Sequence, residues 1–71
     1  MRSEKDLIAE ALGDLQKEET IERALGRILR RYGQTYAEYL RIMDIVRELA
    51  HREKVTNLEA ARRIAQTLKS A

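Results

Sequence analysis

One short pattern, a threonine followed three residues later by a glutamate, occurs twice in this chain and constrains its fold more than any other feature. The two copies are Thr35–Glu38 and Thr56–Glu59. Such a pair is typical of a helix start, because the threonine side chain accepts a hydrogen bond from a backbone N–H group of the first turn. Gly33 lies just before the first copy and suits the left-handed residue that closes a helix. The chain is therefore predicted to pass from one helix to the next at both places.

The rest of the sequence is also helical in character. Ala, Leu, Glu, Arg, Lys and Ile dominate its 71 residues, proline is absent, and no stretch alternates in polarity long enough to form a strand. We predict an all-α single domain over residues 1–71. It is a small bundle of four helices, or of three helices with a broken first one, packed around a central third helix. The predicted helices lie near residues 4–17, 20–32, 36–54 and 57–69, with Ser3 as the first N-cap.

The end of the first helix has two candidate positions. The apolar faces of residues 7–15 and 21–32 would lie about 100° apart on one continuous helix, and glutamates interrupt the stripe between them. A break is therefore predicted near Thr20, or earlier at Gly13–Asp14. At the earlier position the glycine would close one helix and the aspartate would cap the next.

The third predicted helix carries an unusually wide apolar surface. Its first seam has the alternating spacing of a helix–helix contact and consists of Tyr36, Tyr39, Met43, Val46 and Ala50. Leu40 lies beside that seam, and a second seam on its flank consists of Ile42, Ile45 and Leu49. Together they cover roughly 220° of the circumference, whereas a surface helix needs about 100°. This helix is predicted to be the central post of the bundle or to be covered by another chain.

The leading functional prediction is a non-enzymatic interaction module that self-associates as a homodimer through this third helix. The predicted self-association face consists of Tyr39, Ile42, Met43, Ile45, Val46 and Leu49. A chain of 71 residues builds only a small core of its own, and this favours the burial of further surface against a second copy.

The charges are distributed unevenly along the chain. Residues 1–22 have a net charge of −4 and residues 23–71 a net charge of +6. A stretch without acids, residues 23–37, contains four arginines: Arg23, Arg27, Arg30 and Arg31. Clustered arginines neutralise phosphates, so the alternative prediction is a small regulator that binds DNA or RNA through them. An acidic protein would satisfy the same charges, as would Glu10, Asp14 and Glu18 of the neighbouring first helix.

The sequence indicates no catalytic, metal or cofactor site. His51 is the single histidine and cysteine is absent, so a metal ion would lack further ligands of these types and a base would lack a nucleophile. The carboxylate pairs Glu10–Asp14 and Asp44–Glu48 have a spacing typical of a solvated helix face. No phosphate-binding loop or catalytic motif occurs. We expect no enzyme activity and no small-molecule substrate.

The first residues of the chain contain acids where a signal peptide is apolar, and no apolar run approaches the roughly 20 residues of a membrane span. We therefore expect a cytoplasmic protein without a membrane partner. The absence of proline, cysteine and tryptophan and the repeated capping motif also suit a designed bundle without biological function. Gly13 and Gly26, placed in or near helix interiors, and the uneven charge count against that alternative.

Overall fold

A computed structural model describes the backbone of residues 3–70 and the side chains of residues 3–66. It contains the helices α1 (Glu4–Gly13), α2 (Ile21–Arg31), α3 (Tyr36–Glu53) and α4 (Asn57–Ser70). No strand occurs within residues 3–70. The prediction of an all-α bundle of four helices is confirmed.

A hydroxyl side chain caps the start of each helix. Ser3 Oγ accepts a hydrogen bond from the Asp6 backbone N–H at 3.2 Å, and the Asp6 carboxylate accepts one from the Ser3 N–H at 3.4 Å. Thr20, Thr35 and Thr56 accept the N–H group three residues further on, at 3.3, 3.3 and 3.1 Å. The N-caps predicted at Ser3, Thr35 and Thr56 are confirmed. Each such cap contributes about 1 kcal/mol.

α1 is shorter than predicted, because it ends at Gly13 rather than near residue 17. The Asp14 backbone N–H donates to the Glu10 carbonyl at 3.0 Å and closes the last turn. Residues 14–20 form a linker in which Glu18 takes a left-handed conformation, with φ at 64°. Asp14 does not cap α2, since Thr20 does so. Both candidate break positions are therefore used, the first to end α1 and the second to start α2.

α2 closes with the glycine motif that its sequence predicts. Gly33 has a φ of 69°, its N–H donates to the Arg30 carbonyl at 3.1 Å, and the Gln34 N–H donates to the Leu29 carbonyl at 2.9 Å. These two bonds define a Schellman motif, in which the left-handed residue costs a glycine little.

α3 ends with similar geometry but without a glycine. The Val55 N–H donates to the Ala50 carbonyl at 3.0 Å, and Lys54 takes the left-handed position with φ at 57°. A residue with a Cβ atom pays about 1 kcal/mol for that conformation. The end of α3 is therefore strained where the end of α2 is relaxed.

The core lies between all four helices, and its smallest members are alanines. Ala11, Ala24, Ala60 and Ala61 have no exposed surface. Short side chains at these points let the helices approach one another closely. The largest fully buried side chains complete this core: Ile8, Leu25, Ile28, Leu29, Ile42, Met43 and Val46.

The prediction that the third helix is central is wrong. α1 packs extensively against α2 and α4, whereas α3 packs mainly against α4 and only slightly against α2. α3 therefore lies at the edge of the bundle. Because its apolar surface is wide and its neighbours are few, part of that surface faces solvent.

Candidate interaction surfaces

Arg27, in the middle of α2, is held by an ion-pair network inside the molecule. Its Nε and Nη2 atoms lie 3.2 and 3.0 Å from Asp14 Oδ2, and Nη2 also donates to the Asp14 carbonyl oxygen at 2.8 Å. Its Nη1 atom pairs with the Glu19 carboxylate. These bonds fold the linker back onto α2, so Arg27 is fully engaged within the chain.

The same network shifts the protonation of the linker acids. The hydrogen bond from Arg27 lowers the pKa of Asp14, and the nearby charge of Arg31 lowers it further. The pKa of Glu19 is lowered first by the hydrogen bond from Arg27 and then by the backbone N–H of Gln16. Hydrogen bonds to these two carboxylates raise the pKa of Arg27 in return.

Arg31 is likewise paired within the chain. Its guanidinium lies 3.3 Å from Asp14 Oδ2 and 3.8 Å from Glu10 Oε2, and the Tyr32 hydroxyl donates to the same Glu10 oxygen at 2.6 Å. Glu10 and Asp14 thus take the role of internal partners that the sequence offered for the arginines. Within residues 3–66, Glu18 does not pair with any of these arginines. Glu19 takes its place, because its carboxylate pairs with Arg27.

Arg23 and Arg30 are the two members of the predicted arginine cluster that face solvent. Both are exposed, and within residues 3–66 neither guanidinium forms an ion pair with a carboxylate. They are seven residues apart, which places them on one side of α2 within about 20° of each other and about 10.5 Å apart along its axis. The predicted four-arginine surface is therefore reduced to these two side chains.

A groove of about 650 Å³ runs between α2 and the first half of α3. Arg23, Gly26 and Arg30 of α2 line it, together with Tyr36 and Tyr39 of α3. The two tyrosine rings stack with their centroids 5.7 Å apart and their planes 19° apart. Tyr36 is 73% exposed, although the first seam placed it among the apolar contacts. The sequence alone did not associate this ring pair with the arginines, because that association depends on how α2 and α3 pack.

The fold divides the predicted self-association face. Three of its members are completely enclosed in the chain's own core, and for these the prediction of a partner contact is wrong: Ile42, Met43 and Val46. Tyr39 and Leu49 are half-buried and pack against that core. Ile45 is 40% exposed and is the accessible member of the predicted face.

Ile45 borders a second groove, of about 470 Å³, between α3 and α4. Leu49 and Ile64 provide its further apolar surface. Charged side chains of both signs surround it: Lys5, Glu48, Arg52, Glu53 and Arg63. An apolar centre with a rim of mixed charge is typical of a surface that contacts another protein.

The other polar residues considered from the sequence lie on the surface. His51 is exposed, and Asp44 pairs with Arg47 at 3.5 Å. Within residues 3–66, no three histidine, aspartate or glutamate side chains converge so as to hold a metal ion. None of the four helices, over residues 3–70, combines the length and apolar character that crossing a membrane requires.

Comparison of the chain with protein-family models, with curated proteins and with solved structures finds no match.

Proposed function

We propose that the protein is a non-enzymatic interaction module that forms a homodimer through one strip of α3. This strip, called the Ile45 strip below, consists of Glu38, Arg41, Ile45, Glu48, Leu49 and Arg52. On a helix these residues lie within about 60° of Ile45. The observation that carries the proposal is the 40% exposure of Ile45 on an edge helix whose opposite side builds the core.

The position of Ile45 along α3 favours a second copy of the chain as the partner. Ile45 is the tenth of the 18 residues of the helix, at its middle. In a twofold dimer the same surface is used by both copies, and a central side chain meets its own equivalent. Two antiparallel α3 helices would therefore bring the two Ile45 side chains together, each flanked by Leu49. The strip also has the alternating spacing of a helix–helix seam.

The charges of the Ile45 strip are complementary in that antiparallel register. Residues equally distant from Ile45 on its two sides face each other, so Glu38 faces Arg52 of the second copy. Arg41, which pairs with Glu4 at 2.8 Å and with Glu38 within its own copy, lies beside Glu48 of the second copy. A parallel register would instead place each of these charges next to its own equivalent. Opposite charges at the flanks of a helix pair select its orientation, so they favour the antiparallel dimer.

The apolar part of this contact is small, so the dimer is weak. Each copy contributes one exposed isoleucine and one half-buried leucine at the edge of the α3–α4 groove. Exposed ion pairs add little affinity, so the interface belongs to the weak class, with a Kd of roughly micromolar order or above. Such a module assembles where several copies are held close together, because tethering raises their effective concentration.

Sedimentation equilibrium tests the proposal. The wild-type chain should change from monomer to dimer between roughly 10 µM and 1 mM, the range that brackets such a Kd. The variant Ile45→Glu should stay monomeric over that range, because it places two carboxylates against each other at the centre of the contact. Its helical circular dichroism should match the wild type, since the side chain is exposed.

Leu40 supplies a matched control. It lies on the same helix and is 39% exposed, nearly as much as Ile45, but it points about 140° away. Leu40→Glu should therefore dimerise like the wild type. A wild-type chain that stays monomeric at about 1 mM would contradict the proposal, given the Kd range above. A dimer broken by Leu40→Glu and kept by Ile45→Glu would also contradict it.

A further inference from the structure

We propose that the groove between α2 and α3 binds a short single strand of nucleic acid. Arg23 and Arg30 contact its phosphates, and the open ring face of Tyr36 stacks on a base. This surface is separate from the Ile45 strip, since Tyr36 and Ile45 point in opposite directions on α3. Nucleic-acid binding at this groove therefore does not depend on whether the protein forms the proposed homodimer.

The charge balance of the groove favours an anionic ligand. Its charged lining consists of Glu19, Glu22, Arg23, Arg27 and Arg30. Arg27 and Glu19 satisfy each other, which leaves two arginines against Glu22. Glu22 lines the same groove as the two tyrosines, and burial, followed by the charge of Glu22, raises the pKa of Tyr39. The remaining positive charge therefore belongs to Arg23 and Arg30.

The tyrosine pair provides a stacking platform beside these arginines. Tyr39 is half-buried against the core, and its ring supports that of Tyr36 at a centroid distance of 5.7 Å. Tyr36 is 73% exposed, so its outer face is free. Proteins that bind single strands combine a positively charged groove with aromatic rings on which unpaired bases stack. A double helix offers no such base face, and this favours a single strand as the ligand.

Gly26 leaves the backbone of α2 accessible in the groove. It lies inside α2, where glycine costs helix stability relative to alanine. Its backbone does not require glycine, because its φ is not positive. A Cβ atom added there would meet Tyr39 Cε1 at 3.8 Å, an ordinary contact. Packing within residues 3–66 therefore does not call for glycine, and the absence of a side chain leaves room for a ligand to approach the backbone of α2.

The spacing of the two arginines sets the length of the bound strand. They are about 10.5 Å apart along the axis of α2, which matches about three nucleotides at a rise of 3.4 Å in a stacked strand. The contact is therefore short and weak. Its strength should depend steeply on salt, because it releases the counterions of the neutralised phosphates.

Fluorescence anisotropy with a labelled oligothymidylate of about 12 nucleotides tests the inference in about 50 mM salt. The wild-type chain should bind. The double variant Arg23→Gln/Arg30→Gln should weaken binding and reduce the slope of log K against log salt by about 1.4, or 0.7 for each lost phosphate contact. Tyr36→Ala should weaken binding by at least about fivefold, while Tyr36→Phe, which keeps the ring, should bind like the wild type. Gly26→Ala should raise the melting temperature and still weaken binding.

A charge-matched control separates this groove from general attraction to a basic chain. Lys54→Gln/Arg62→Gln removes the same charge from exposed positions outside the groove and should leave the salt slope nearly unchanged. The inference is overturned if the wild-type chain does not bind. It is equally overturned if the control variant loses as much binding affinity and salt slope as the arginine variant. It is also overturned if a duplex or a polyglutamate peptide of similar length binds as tightly as the single strand. Thermal melts of each variant confirm that it is folded.

Discussion

α2 and α3 each carry an excess in the sequence, α2 of positive charge and α3 of apolar surface, and the fold uses part of each. In α2, Arg27 and Arg31 turn to acids of α1 and the linker, while Arg23 and Arg30 stay open. In α3 each seam contributes to the core, while Tyr36 of the first and Ile45 of the second stay exposed. The charge is satisfied by a segment that is adjacent in the chain, whereas the apolar surface is covered only by assembly of the whole bundle. The surplus of charge or of apolar residues counted along one helix is therefore divided among different faces of that helix. Some of these faces make contacts inside the fold, and others face solvent.

The largest expected effect separates a buried position of α3, Val46, from an exposed one, Ile45. Val46→Asp places a carboxylate in the core and should cost about 4 kcal/mol or more, enough to unfold a small domain. Ile45→Asp changes a position that is 40% exposed and should lower the stability of the monomer by no more than about 1 kcal/mol. Urea denaturation followed by circular dichroism at low micromolar concentration measures both. Equal losses of stability in the two variants would show that Val46 and Ile45 do not differ in burial.

An exchange of charge tests the antiparallel register of the Ile45 strip. Glu38→Arg and Arg52→Glu should each weaken the homodimer, because each brings like charges together at both ends. A mixture of the two variants should form a heterodimer about tenfold tighter than either homodimer, since all of its end contacts are attractive. Sedimentation of the mixture and of the separate variants measures the difference. A mixture that behaves as the average of its components would rule this register out.

The two classes of arginine in α2 should differ in the dependence of stability on pH. The pKa values of Asp14 and Glu19 are lowered from the ordinary 3.8 and 4.5, so their ionised forms stabilise the fold above those values. That stabilisation is lost as the pH falls through the lowered pKa values. The melting temperature of the wild type should therefore fall between about pH 5 and pH 2. The Arg27→Gln variant should have a lower melting temperature at neutral pH and a smaller decrease as the pH falls. The melting temperature of Arg30→Gln should follow that of the wild type.

The smallest expected effect concerns the two helix ends. Lys54→Gly relieves the left-handed conformation at the end of α3 and should stabilise the fold by about 0.5–1 kcal/mol. Gly33→Ala introduces the same conformational cost at the end of α2 and should destabilise it by a similar amount. Thermal melts measured in parallel give both values. The same sign of change in both variants would contradict the comparison.

The parts of the fold that were predicted correctly are those encoded within a few consecutive residues. The caps at Thr35 and Thr56 and the turn at Gly33 each depend on hydrogen bonds to residues close by in the chain. The end of α1 at Gly13 was one of two candidate positions, and the neighbouring residues alone did not decide between them. Asp14 is fixed by Arg27, thirteen residues further on, at the point where the linker leaves α1.

The candidate surfaces were predictable only as sets of residues. Helical periodicity grouped the apolar residues of α3 and the arginines of α2, but it carries no information on which neighbour each group meets. It therefore assigned Met43 and Val46 to a partner, although they pack in the core, and left Tyr36 among buried contacts, although a groove lies beside it. The position of α3 at the edge of the bundle decides both outcomes, and that position is a property of the assembled chain.

The four fully enclosed alanines restrict the substitutions that the molecule tolerates, because larger side chains do not fit at these positions. Ala11, Ala24, Ala60 and Ala61 have only a methyl group to lose, so almost every replacement adds volume where the helices touch. Elsewhere in the interior a shortened side chain leaves a void, to which the surroundings adjust in part. Mutations that accumulate in this chain should therefore spread across its outer surface and its larger interior positions, while these four points hold the spacing of the bundle.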